Sequence, residues 1–231
     1  MGAGAGRCTV CGGDGFAFRP ILWKALIDEW QLAPEEAAYI DRQQGMHCTA
    51  CGANLRSVAL ARTILAWAGS TGTLQEWASS AAAAGSAVLE INEAGSLSPM
   101  LRLLPGHVLA VYPAVDIHAL PYTEGSFDLV IHSDTLEHVA HPVRALSECR
   151  RVLRAGGGLC FTVPTVVGRL SRSRAGLPMS FHGDAATSSA DWAVQTEFGA
   201  DAWTYVVMAG FGSVAIHTVD YPSATAMLAV R

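Results

Sequence analysis

Two short motifs constrain this chain more than any other part of it. They are "CTVCGG", with Cys8 and Cys11, and "CTACGA", with Cys48 and Cys51. Within each pair the spacing lets two thiolates converge on one ion, and the glycine that follows permits a tight turn. Two such knuckles supply four sulfurs, a closed tetrahedral set suited to structural Zn2+. A catalytic zinc would need an open position, which four cysteines do not leave. The competing readings are two unrelated buried cysteine pairs or a redox dithiol. His47 adjoins Cys48 and could substitute for one ligand, but reads better as lying beside the ligand set or in solvent. If the four sulfurs meet, residues 12–47 must leave one point and return to it. That stretch reads as helical. "RPILWKALIDEW" carries Pro20 near its start, and "APEEAAYIDRQQG" has Pro34, two acids in the first turn and Gly45 at its end.

With 231 residues, 51% of them hydrophobic, the chain can bury a substantial core as one large domain or one domain plus an appendage. Net charge is −5 and only 15% of residues are charged, so no broad basic surface is expected and nucleic acid is an unfavoured partner. Apolar runs break well before the 18 or so residues a membrane span needs. The opening "MGAGAGR" has no apolar stretch, so the expectation is a soluble cytoplasmic protein without membrane association. Two further helices follow the second knuckle. "NLRSVALARTILAWAG" (54–69) has near-helical apolar spacing, and "TLQEWASSAAAAG" (73–85) opens with Thr73 and Glu76 as a capping box and ends at Gly85. The expected division is a zinc module with its connecting helix over 1–69 and an α/β domain over 70–231.

From residue 87 onward strand and helix alternate. "AVLEIN", "SFDLVIHS" (126–133) and "GLCFTVP" (158–164) read as buried strands. "HPVRALSECRRVL" (141–153) reads as an amphipathic helix stopped by "RAGGG", and "ADAWTYVVMAGFG" (200–212) as another. "SVAIHTVDY" (213–221) and "TAMLAVR" (225–231) form a terminal hairpin. Such alternation implies a mainly parallel sheet that binds ligands beyond the carboxyl ends of its strands.

The stretch "DIHALPYTEGSFDLVIHSDTLEHVAHPVRALSECRRVLRAGGGLCFTVP" (116–164) resembles the middle of a class I S-adenosylmethionine-dependent methyltransferase of the type 11-like kind. The two knuckles, the second leading into "NLRSVALARTIL", resemble a subset with an N-terminal four-cysteine zinc module and a glycine-poor cofactor loop. The resemblance implies a Rossmann-like α/β sheet of seven strands with a reversed C-terminal pair, and S-adenosylmethionine as methyl donor. It places Glu90 at the end of the first strand and Asn92, Ala94 and Ser96 where glycines are usual, around Gly95. Asp116 and Ile117 fall at the adenine positions, and His132 and Ser133 near the methionine part of the cofactor. Two departures stand out. Asn92 can turn left-handed in place of glycine, while Glu93 would either hold the cofactor's positive charge or cap the next helix. From Glu90 to Asp116 is only 26 positions, room for one short helix and one strand, "HVLAVY". The sheet is therefore expected to be shortened around its second and third strands, with Tyr112 nearest to the missing ribose-binding acid.

The resulting functional expectation is methyl transfer to a small-molecule or sugar acceptor, a nucleotide-sugar included. The alternatives are a non-catalytic binding protein on the same scaffold and a zinc-bearing RNA methyltransferase. His182, in "GLPMSFHGDAATSS", and His138, in "LEHVAHP", are the candidate bases; Asp134 reads as a helix cap. Arg154 and the arginines of "RLSRSRAG" (169–176) suggest an electropositive lid for an anionic substrate, against the reading of a solvated loop. Trp192 reads as core or as a stacking platform. The oligomeric state is left open.

Overall fold

A computed structural model describes residues 6–181 and 190–231. The first knuckle leads into strand β1 (Phe16–Phe18), then helices α1 (Lys24–Glu29) and α2 (Pro34–Gly45), and strand β2 (Met46–Cys48) pairs antiparallel with β1. The chain thus returns to its starting point, as the cysteine spacing requires. Helix α3 (Leu55–Trp67) follows, with Asn54 accepting from the Ser57 N–H at 2.9 Å as its N-cap. In α4 (Leu74–Ala78) Thr73 and Glu76 form the expected capping box. The helix ends seven residues earlier than the sequence pattern suggests, at Ala78 rather than Gly85. There the Ser80 hydroxyl donates to the Trp77 carbonyl and accepts from the Ala83 N–H, offering the backbone a turn instead.

The α/β part comprises β3 (Val88–Ile91), α5 (Ser98–Leu101), β4 (His107–Ala110), β5 (Phe127–Ser133), α6 (Pro142–Val152) and β6 (Leu153–Thr162). A small mixed sheet of β7 (Thr165–Val166), β8 (Arg172–Ser173) and β9 (Thr196–Gly199) comes next. Helix α7 (Trp203–Met208) and the hairpin β10 (Ser213–Val219) and β11 (Ala224–Val230) complete the chain. The main sheet has six strands in the order β10-β11-β6-β5-β3-β4, parallel through β6-β5-β3-β4 and antiparallel in the final pair. The resemblance implied seven. The expected shortening has removed one strand and made β4 the edge.

Helix and strand meet differently from expectation at "RAGGG". It belongs to β6, which begins directly after α6, and the register slips between Phe127 and Leu129 where the strand bulges. Gly158 is required here by close approach, because a Cβ would lie 2.4 Å from the Trp67 indole of α3.

Each face of the sheet is covered. Leu60, Ile64 and Leu65 of α3 pack with Leu129, Ile131, Cys160 and Ala226, and the same cluster includes Val10 and Cys48 of the knuckles. The core therefore passes through α3 into the cysteine region without a break. On the other face Leu146, Cys149 and Val152 of α6 and Val206 of α7 cover Val130, Leu159 and Phe161. Helix α6 places these apolar residues on one stripe and ends with Arg150 and Arg151, which favour the negative pole of the helix. Among the described residues no helix is long and apolar enough to cross a membrane.

Candidate functional site

The four sulfurs of Cys8, Cys11, Cys48 and Cys51 lie within 4.8 Å of one another. Cys8 and Cys51 are 3.8 Å apart, as are Cys11 and Cys48. A tetrahedron with metal–sulfur bonds of about 2.3 Å has edges of about 3.8 Å, so the spacing fits zinc. The knuckles have matching backbones. Gly12 N–H donates to the Cys8 carbonyl and Gly52 N–H to the Cys48 carbonyl, with φ of 84° and 75° at the glycines. His47 stands apart, its Nδ1 2.9 Å from the Gly45 carbonyl oxygen. The Leu74 and Gln75 N–H groups bond to the Thr9 and Val10 carbonyls, docking the first knuckle on α4.

At the carboxyl end of β3 the loop turns at two left-handed residues, Asn92 (φ 53°) and Gly95 (φ 58°). A Cβ at Gly95 would meet open space, so the backbone angle alone calls for glycine there. Glu90 is fully buried and committed to its own surroundings. One carboxylate oxygen accepts from the Ala94 N–H (2.7 Å) and the Ser98 hydroxyl, and the other is 2.7 Å from His107 Nε2. Glu90 thus shapes the loop instead of facing a ligand. Glu93 is exposed and paired with Arg102, so it neither caps the next helix nor faces the sheet. Asn92 accepts from the Tyr112 N–H at 3.1 Å and stitches the tips of β3 and β4 together.

Beyond β4, Tyr112 is about half exposed, and the Asp116 side chain is 53% exposed. Asp116 accepts from the backbone N–H and Nδ1 of His118, which hold its carboxyl below the usual carboxylate range. The Ile117 side chain is buried in the core. Ser133 and Thr162 share a hydroxyl contact of 2.8 Å across β5 and β6.

His132 is entirely buried, tilted against Phe161 with ring centroids 4.9 Å apart, and neither ring nitrogen has a hydrogen-bond partner. Burial pushes its imidazole from 6.5 down to about 3. The unfolded chain takes up a proton there as pH falls below 6.5, which the folded protein resists until about 3. Stability from the neutral ring is complete above the upper value and lost as pH falls towards the lower one. His132→Phe is therefore expected to remove an acid sensitivity of up to about 1.4 kcal/mol per pH unit. Urea midpoints at pH 7 and pH 5 measure it, and equal losses in both proteins would contradict the assignment.

A second group of polar side chains gathers where β5 and β6 end. Asp134 (φ 48°) pairs with Arg56 of α3 and accepts from Thr162, so it braces two elements and does not cap a helix. Glu137 is 1% exposed, and burial together with neighbouring Asp134 raises its carboxyl well above the usual range. His138 Nδ1 lies 3.3 Å from the Ala193 carbonyl and Nε2 3.6 Å from Glu137; burial lowers its imidazole. These groups line a cavity of about 330 Å3 whose other walls come from α1, α2 and the residues after β6. Trp192 lines it too and is 59% exposed, which removes it from the core. His182 lies outside the described residues.

The arginines of 169–176 form no open cationic lid. Arg169 is tied to Glu36 and to the Trp30 and Gln31 carbonyls, Arg172 to Glu197, and Arg174 to Glu197 and Pro178. Arg154 pairs with Asp128. Their carboxylate partners lie far away in sequence, with Glu197 shared between Arg172 and Arg174 and Glu29 3.8 Å from Arg174, a pairing that local reading cannot see. Arg169, together with Tyr39, which accepts from the Val167 N–H, straps the α1–α2 segment to the residues after β6 beside the cavity. Sequence reasoning also missed His107, Arg56 and Glu137. Of these only Arg56 carries a local signal, as one of two charged residues in a largely apolar helix.

Residues 68–161 match a family described as a methyltransferase domain. Over this segment, about two fifths of the chain, the sequence is similar to methyltransferase domains. The segment holds β3 to β5, α6 and most of β6, and so carries the loop at Glu90 as well as Asp134, Glu137 and His138. A Mycolicibacterium smegmatis protein named as a probable S-adenosylmethionine-dependent methyltransferase is 40% identical over 63 residues, 25% of this chain and 24% of that protein. An uncharacterised 37.1 kDa protein from a Streptomyces fradiae transposon is 51% identical over 49 residues, 21% of this chain and 14% of that one. The matches thus span about a quarter or less of these relatives' length. Among solved structures, an S-adenosylmethionine-dependent methyltransferase of Thermotoga maritima, described as a possible histamine N-methyltransferase, aligns with a TM-score of 0.41 at 18% identity, covering 63% of this chain and 82% of that one. One from Mesorhizobium loti aligns at 0.39 and 15%, covering 64% and 92%. S-adenosylmethionine is the cofactor to which this family points.

Proposed function

We propose that the chain transfers the methyl group of S-adenosylmethionine to a small molecule held in the cavity at the ends of β5 and β6, with His138 as the base and zinc fastening the N-terminal segment. The observation that carries this reading is the cavity itself. It opens at the carboxyl ends of parallel strands in a methyltransferase domain and is lined by His138 and Glu137, both with shifted proton affinity.

The tips of β3 and β4 suit the donor. Two left-handed residues bring backbone towards the surface, Asp116 offers an ionised and half-exposed carboxylate, and Tyr112 offers a half-exposed ring. Asp116 and the Ile117 backbone would hold adenine, with Tyr112 beside the ribose. The bound donor supplies an electrophilic methyl group for in-line displacement. The protein's part is placement, worth several kcal/mol when attacking atom and methyl carbon are held in line. His138 would take the acceptor's proton, and burial keeps that imidazole neutral and able to do so near neutral pH.

Calorimetric titration with S-adenosylhomocysteine tests the cofactor half. Binding is expected, and Asp116→Ala is expected to weaken it roughly tenfold, about 1.4 kcal/mol. The commitment of Glu90 and Glu93 to protein partners favours one other reading, a methyltransferase-like scaffold that binds without turnover. Folded, zinc-loaded protein that ignores the cofactor would select that reading.

A further inference from the structure

We infer that the molecule this cavity admits is uncharged, flat and largely apolar, such as a fused-ring aromatic bearing one hydroxyl, and not the phosphorylated sugar that an arginine-rich segment suggests. The inference rests on the proposed methyltransferase reading for the acceptor's role, while the class of molecule follows from the walls.

Three tryptophans line the space: Trp30 is buried, while Trp23 and Trp192 are 41% and 59% exposed although large and apolar. Leu22, Leu26, Ile40 and Val166 are among the aliphatic residues of the same wall. Flat aromatic surfaces of this kind stack on rings, and a stacked pair gains about 0.5–1.5 kcal/mol beyond its buried area. The volume, about 330 Å3, sits at the small end of the 300–1,000 Å3 usual for small-molecule sites and is tight for a nucleotide joined to a sugar.

Charge decides the rest. Among the described residues the titratable groups lining the cavity are Arg56, Asp134, Glu137 and His138. Arg56 is ion-paired with Asp134, so the two cancel. Burial raises the Glu137 carboxyl well above the usual carboxylate range and lowers the His138 imidazole, so both shifts favour the uncharged form of the group. Arg169 and Arg174 lie outside the lining and are paired, Arg169 with Glu36 and Arg174 with Glu197 and Glu29. A charged acceptor would lose hydration on entry and, among the described residues of the lining, would meet no charged group that is not already ion-paired, a cost of several kcal/mol. An uncharged one escapes it. Gln43 and Gln44 of α2 supply amides for a polar edge.

The test uses the full-length, zinc-loaded protein and three probes of one shape: 2-naphthol, 2-naphthyl phosphate and 2-naphthylmethylamine. In calorimetric titrations 2-naphthol is expected to bind at least tenfold more tightly than either charged probe. Ile40→Trp, which fills the cavity from α2, is expected to weaken 2-naphthol at least tenfold. Leu26→Trp does the same from α1 and guards against one variant that misfolds. Tightest binding of the phosphate or of the amine overturns the inference, as does 2-naphthol binding that neither variant disturbs, or the absence of binding by all three. S-adenosylhomocysteine is titrated into the same samples. Its failure to bind while 2-naphthol binds in the cavity removes the methyltransferase reading and leaves the ligand class standing; the reverse pattern does the opposite.

Discussion

Metal analysis of the purified protein is expected to return about one zinc per chain, and Cys48→Ser to lose it together with the ordered structure of α1 and α2. The expected effect is large because the cluster stands in for a core that the N-terminal segment lacks. Cys8 and Cys48 are fully buried, and the sulfurs already stand at tetrahedral spacing. Between the knuckles lie two short elements of paired strand and two helices, with only Leu26 and Trp30 as buried large apolar side chains. Binding of structural zinc is worth about 10–16 kcal/mol in small modules, more than such a segment can replace by packing. Loop closure adds to this, since a cross-link over a loop of this size removes about 4 kcal/mol of unfolded-chain entropy. Plasma emission measures the metal, and near-ultraviolet circular dichroism, through Trp23 and Trp30, reports the fold. Wild-type protein that is fully ordered without metal would sink the assignment.

The second large effect is at His138. His138→Asn is expected to lower kcat about 10²- to 10⁴-fold with an acceptor hydroxyl, while leaving the cofactor affinity within a factor of two or so. The ring is oriented through Nδ1 at the Ala193 carbonyl, which turns Nε2 inwards near Glu137. Because burial lowers its proton affinity below the ordinary 6.5, the neutral base persists to lower pH than that of a free histidine. The wild-type rate is therefore expected to stay level through neutral pH and to fall only as acid protonates the ring, at a pH below 6.5. A variant whose turnover matches the wild type would remove His138 from the chemistry.

Much of the frame was legible because it rests on short-range rules. The cysteine spacing foretold that residues 8 and 51 meet, and the short path from Glu90 to Asp116 foretold a missing strand. Asn92 turns left-handed, as its place in a glycine-poor loop implied. What failed depended on partners distant in the chain. Glu90 carries the expected position but spends its oxygens on Ala94, Ser98 and His107, and nothing around residue 107 announces that bond. The arginines of 169–176 looked like a cationic surface because Glu36 and Glu197 are remote in sequence. "RAGGG" looked like a helix stop because glycine ends helices; that Trp67 needs the space is a fact of tertiary packing. The sequence drew attention to His138, which lines the cavity, but the α1–α2 wall opposite it comes from the N-terminal segment, a contact between parts of the chain far apart in sequence.

The loss of a strand leaves β4 at the margin of the sheet, with Val108 and, just past it, Val111 facing outwards, 37% and 43% exposed. An open margin of this kind is a template on which a stray strand from another molecule can assemble. Many proteins discourage such pairing with lysines. Here the protection is brevity, because the strand is four residues long and Pro113 closes off its continuation two residues after Val111. An intruding chain finds too few bonds to stay.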